Sequence, residues 1–95
     1  MEKKLQSEII KFLRSHKVYV IKTTPGAGTP VGCPDIIGLY RGRYLALEVK
    51  ASAGAGFQPL QRETLNILSI DCKWAFSVTP ETWGFVKRLI LADFL

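Results

Sequence analysis

Between Asp35 and Lys50 the chain reads DIIGLYRGRYLALEVK, two apolar runs of strand-forming residues separated by Arg41-Gly42. No other stretch restricts the fold as much. Gly at the second of two loop positions supplies the positive φ of a tight hairpin turn, so Tyr40 is expected to face Arg43. Stepping outward along that ladder sets Asp35 opposite Glu48, with Cβ atoms roughly 4.5–5.5 Å apart. Lys50 follows Glu48 by two and points to the same face, whereas Val49 points to the other. One face of the hairpin carries Ile37, Leu39, Tyr44 and Ala46, the other Ile36, Tyr40, Leu45, Leu47 and Val49. Both are apolar, which predicts a central hairpin covered on both sides.

Opposed carboxylates at the rim of such a sheet repel each other and lose hydration. A divalent cation relieves both costs, and Mg²⁺ suits a site of one or two carboxylates, waters and a phosphate. A lysine beside them can hold a phosphate or a water.

Around the hairpin the order of elements is α-β-β-β-α-β-α. Glu2 to Ser15 reads as a helix, with Leu5, Ile9, Phe12 and Leu13 on one side and Lys3, Lys4, Lys11 and Arg14 on the other. Val18 to Thr23 is a β-branched run that reads as the first strand. TPGAGTPVGCP and ASAGAGF read as flexible loops flanking the hairpin. Pro59 to Ile70 reads as a second long helix, and Lys73 to Val78 as a fourth strand. Thr79-Pro80-Glu81 then starts a last helix with a hydroxyl cap, Pro at the first helical position and an acid in the first turn.

With 95 residues the chain makes one domain, and 47% hydrophobic residues give it a thin core. Thirteen Lys and Arg against eight Asp and Glu leave a net charge of +5, which favours a polyanionic partner. His16 is the one histidine, so zinc sites built on several histidines are excluded, and a serine triad would have to use His16. Cys33 and Cys72 form no CxxC pair and no disulfide framework, so reduced thiols are expected. No run reaches the ~18 apolar residues of a membrane span, and MEKKLQSE lacks a signal peptide's apolar segment. The expected setting is the cytoplasm. Gly26–Gly28 and Gly54–Gly56 each spell GAG without extending to a phosphate-binding fingerprint, so no nucleotide cofactor is expected.

Pro34-Asp35 followed by Glu48-Val49-Lys50 resembles the PD-(D/E)xK nuclease signature. The element order resembles the αβββαβα core of restriction-endonuclease-like proteins, an α/β fold with a mixed four-stranded sheet flanked by helices. The wording GCPDIIGLYRGRYLALEVKAS…QPLQRETL and the Pro-led last helix look most like the virus-type replication-repair nuclease domain, VRR-Nuc, and the likeness spans nearly the whole of residues 1–95. The resemblance implies that Asp35 and Glu48 ligate Mg²⁺ or Mn²⁺, with the Val49 carbonyl as a further ligand, and that Lys50 orients or activates the attacking water. It implies an acid from the first helix, for which Glu8 is the candidate. At ~100° per residue Glu8 lies about 40° from Phe12, on the border of the buried stripe. It also implies a glutamine near the site, Gln61 or Gln58.

The reaction implied is hydrolysis of DNA phosphodiesters to 5′-phosphate and 3′-hydroxyl ends. Stand-alone members of this type resemble junction-cleaving enzymes that act as homodimers on four-way junctions, and the resemblance points to a phage or prophage origin. Lys3, Lys4, Lys11, Lys22, Arg41, Arg43 and Arg62 are candidates for phosphate contacts. The apolar residues of FVKRLILADFL (Phe85, Leu89, Ile90, Leu91 and Phe94) cover more than one helical face, and a second subunit could bury the excess. The alternative is a non-catalytic DNA-binding module of the same fold. A restriction-like endonuclease is disfavoured by the little room left for base readout, and a structural protein with a basic surface would bind no nucleic acid at low salt.

Overall fold

The computed structural model describes residues 2–24, 28, 33–51 and 73–95. Helix α1 spans Glu2–Ser15. Its Leu5, Ile9 and Leu13 are buried and Phe12 packs against the same cluster, while Lys3, Lys4, Lys11 and Arg14 stay exposed, as the spacing predicts. The helix ends where Lys17 turns left-handed at φ 69°. The Val18 N–H donates to the Leu13 carbonyl and the Lys17 N–H to the Arg14 carbonyl, both at 3.1 Å, the paired bonds of a Schellman cap. Strand β1, Tyr19–Lys22, is shorter at its start than its β-branched run because Val18 is held in that cap.

β2, Ile36–Tyr40, and β3, Arg43–Val49, form the expected hairpin, with Tyr40 paired to Arg43 and Ile36 to Leu47. Arg41 and Gly42 hold φ of 48° and 81°. Positive values at both loop positions define the type I′ turn that matches the strands' twist. β1 pairs antiparallel with β2, and β4, Trp74–Val78, pairs parallel with β3 from Leu45↔Trp74 to Val49↔Val78. The sheet is therefore mixed, in the order β1-β2-β3-β4.

Val20, Ile36, Leu45, Leu47 and Val49 alternate onto one face, where they join Leu5, Ile9 and Leu13 of α1. Gly38 is needed on this face because a Cβ there would lie 3.1 Å from Val18 Cγ1. On the opposite face Ala46 and Glu48 are also buried. The expected covering of both faces lapses at β2, however: Leu39 is 40% exposed, and Tyr19, its partner on the edge strand, is 68% exposed. The open surface lies where β2 borders the edge strand β1.

The segment after β4 keeps its predicted chemistry but starts its regular helix later. The Thr79 N–H donates to Thr82 Oγ1 at 2.9 Å and the Thr82 N–H to Thr79 Oγ1 at 3.2 Å, a reciprocal cap around Pro80 and Glu81. Helix α2, Trp83–Leu89, follows and widens into a π-helical turn over Ile90–Phe94, where the Leu95 N–H reaches the Ile90 carbonyl. The wide turn directs Phe94 inward, 5.5 Å from the Trp74 ring and 6.0 Å from that of Tyr40. Ile90 and Phe94 are fully buried, Leu89 is half-buried, and Phe85 and Leu91 face solvent. The apolar excess of this segment therefore reduces to Phe85 and Leu91. No described helix is long and apolar enough to cross a membrane.

Candidate active site

The hairpin register carries Asp35 to the level of Glu48 at the end of the sheet away from the Arg41-Gly42 turn. Asp35 lies one residue before β2, and its Oδ2 accepts the Val49 N–H at 2.8 Å, which bridges the two strands beyond their last pair. Thr23, just past β1, ties down the approach to β2. Its N–H donates to the Asp35 carbonyl at 3.0 Å, and its hydroxyl donates to the Pro34 carbonyl at 2.7 Å. β1, β2 and β3 thus converge on one point.

Glu48 is 1% exposed, a carboxylate buried near the end of β3. Lys50 Nζ stands 4.0 Å from its Oε1, and the Lys50 N–H donates to the Val78 carbonyl at 2.8 Å, which fixes the lysine to β4. Cys33, just before the hairpin, is half-buried and hydrogen-bonded with Thr23. Burial first, then the negative charges of Glu48 and of Asp35, push its thiol up, while a hydrogen bond with Thr23 pulls the other way. Cys33 and Thr23 carried no weight in the sequence reading. The available signal was a hydroxyl two positions beyond Ile21, on the side of the strand that Asp35 shares.

Glu8 is placed differently from Asp35 and Glu48. Its Oε2 accepts the Trp83 indole N–H at 3.0 Å, and it lies beside Pro80 on the α1 side of the sheet. Among the described residues no three His, Cys, Asp or Glu side chains come close enough together to hold a metal ion. The structure therefore brings together Asp35, Glu48 and Lys50 and leaves Glu8 with Trp83. Gln58, Gln61 and Arg62 lie outside the described residues, as do the helix expected over Pro59 to Ile70, the Gly54–Gly56 loop and Cys72.

The basic candidates divide. Lys3, Lys4 and Lys11 are exposed on α1 and Lys22 at the end of β1. Arg41 stacks over the Tyr40 ring at 5.2 Å, at the far end of the hairpin from the carboxylates. Arg43 is committed within the protein, its Nη1 donating to the Phe94 carbonyl at 3.0 Å.

Asp35 and Glu48 offer hard oxygen donors at a strand end, one of them desolvated. Mg²⁺ and Mn²⁺ take carboxylates together with water, so two carboxylates suffice for the protein's share of the ligands. No protein-family model, no curated protein and no solved structure matches the chain. The class of protein is accordingly defined by the fold alone: an α/β chain with a four-stranded mixed sheet and helices packed on it.

Proposed function

We propose that the protein is a metal-dependent DNA endonuclease with a restriction-endonuclease-like core of the VRR-Nuc type, selective for branched DNA and active as a homodimer. The observation that carries this reading is the convergence of Asp35, Glu48 and Lys50 on one end of the sheet, at the spacing the motif requires. Asp35 and Glu48 would hold Mg²⁺ or Mn²⁺. When bound, the ion supplies charge neutralisation at the scissile phosphate and a more acidic water. Asp35 keeps its orientation through the Val49 N–H, so its free oxygen is presented without a search of rotamers. Glu48 is buried, and a cation would offset the cost of keeping its carboxylate charged there. Lys50 brings a cation that can orient the attacking water and offset negative charge growing on the phosphate. The products would carry a 5′-phosphate and a 3′-hydroxyl.

The test uses labelled four-way junction, flap and linear duplex, with Mg²⁺, with Mn²⁺ and with EDTA, alongside Lys50→Ala. Paired symmetric cuts in the junction that vanish in EDTA and in the variant are expected. Cutting that ignores DNA shape would keep the nuclease and remove the branch selectivity. Binding with no cutting under either metal would make the protein a DNA-binding module instead.

A further inference from the structure

The outer side of α1, away from its core stripe, carries charge of one sign. At about 100° per residue, Lys3, Ser7, Lys11 and Arg14 fall within an arc of roughly 80°. All four are exposed. The arc holds no acid: Glu8 lies about 60° from Lys11 and accepts the Trp83 indole N–H. Lys4 stands at that margin and lines a small cavity with Glu8, so its charge is partly offset. Among the described residues, Lys3, Lys11 and Arg14 have no ion-pair partner. Ser7, Lys11 and Arg14 line a groove of about 410 Å³ with Ile10, which is half-buried against the core. The Ser7 hydroxyl donates back to the Lys3 carbonyl at 3.1 Å, which leaves recognition in the groove to the cations. Leu5, Ile9 and Leu13 lock the other side of the helix into the core, so the cations stand in a fixed row.

Spacing and surroundings decide what the row binds. Lys3 and Arg14 are about 16 Å apart along the helix axis. That is too long for a single phosphate group, and it matches about five successive phosphates of one duplex strand at roughly 3.4 Å each. An anionic membrane would take up the apolar stripe of α1, which is already buried. An unpaired strand gains from an aromatic platform, but Phe12, the one aromatic residue of α1, packs against the core. The row also has a direction. Lys4, Leu5 and Glu8 meet Pro80, two residues beyond Val78, which pairs with Val49 and accepts the Lys50 N–H. The first turns of α1 therefore lie at the carboxylate end of the sheet, and Arg14 lies away from it.

We infer that the Lys3, Lys11 and Arg14 face of α1 is a docking surface for the sugar-phosphate backbone of duplex DNA, running from the carboxylate end over about five base pairs. The inference deepens the nuclease reading, in which that duplex is one arm of the substrate, and is independent of it for binding.

Fluorescence anisotropy with a labelled short duplex in EDTA, from about 50 to about 200 mM salt, tests the surface. The double variant Lys11→Ala, Arg14→Ala binds at least about tenfold more weakly at ~0.1 M salt, and its salt slope is shallower by about 2. Arg88→Ala, which removes an exposed cation from α2, leaves both unchanged. Melting curves check that each variant folds. An equal loss in Arg88→Ala overturns the surface, because net charge alone would then account for the binding. So does an unchanged slope in the double variant, or tighter binding of a single strand of the same length. Pelleting with phosphatidylserine vesicles that the double variant loses, while its duplex binding holds, gives the face to a membrane instead. A shallower slope with no cutting of any DNA in Mg²⁺ supports the surface and removes the nuclease. Cutting with the slope unchanged does the reverse.

Discussion

The Asp35 side chain bonds the Val49 N–H with one oxygen and leaves the other for a ligand. The two roles separate by substitution. Asp35→Asn keeps an oxygen acceptor for the N–H but loses the charge, so cleavage falls by at least about a hundredfold with little loss of melting temperature. Asp35→Ala loses both, and chemical denaturation should register a further cost of about 1.5–3 kcal/mol for the bond to a charged acceptor. A second residue-scale outcome concerns Lys17, which holds φ 69° in the α1 cap. A left-handed backbone costs a residue with a Cβ about 1–2 kcal/mol. Glycine escapes that cost but loses about 0.5–1 kcal/mol more chain entropy on folding. The first term is larger, so Lys17→Gly raises stability by about 0.5–1 kcal/mol, measured in urea. Nothing in the local sequence SHKVYV announced that cap. His16-Lys17 reads as an ordinary solvated helix end, and the left-handed turn arises because Val18 must reverse direction to enter the core.

Among the elements, the hairpin was legible because it is specified locally. Arg41-Gly42 fixes the turn, the turn fixes the register, and the register carries Asp35 to Glu48. α1 was equally legible from its fourfold apolar spacing. What could not be read is contact between distant segments, such as Glu8 accepting from Trp83 or Arg43 donating to Phe94. In a sequence an arginine beside a turn looks the same whether it meets a phosphate or a buried carbonyl. The bond to Phe94 makes Arg43 a clamp on the π-helical turn. Arg43→Ala should therefore cost about 1 kcal/mol, a drop in melting temperature of roughly 4–8 °C in a domain of this size. The salt dependence of DNA binding should stay unchanged, because no released counterion is lost with it. A shallower salt slope for the variant would return Arg43 to the phosphate contacts.

At the scale of the whole molecule, Phe85 and Leu91 remain exposed at 59% and 45% on the last helical segment after the core has taken Ile90 and Phe94. In the proposed homodimer they are the residues for the partner to cover. Sedimentation equilibrium should find the wild type dimeric and Phe85→Glu monomeric with its melting curve little changed, since an exposed substitution costs within about 0.5 kcal/mol. Junction cuts by the variant should lose their pairing in time. The sheet also dictates an order of events. β2 and β3 meet through a two-residue turn, a closure of roughly microseconds. β4 lies parallel to β3, with Leu45 waiting for Trp74, and so joins only after a long crossover has been traced. The hairpin is therefore the first pairing expected to form, and it sets the two carboxylates opposite each other before the sheet is complete. Truncating Ile37 should slow refolding, whereas truncating Val78 should mainly speed unfolding. A nascent chain would then hold its acidic pair in register while its last strand is still being made.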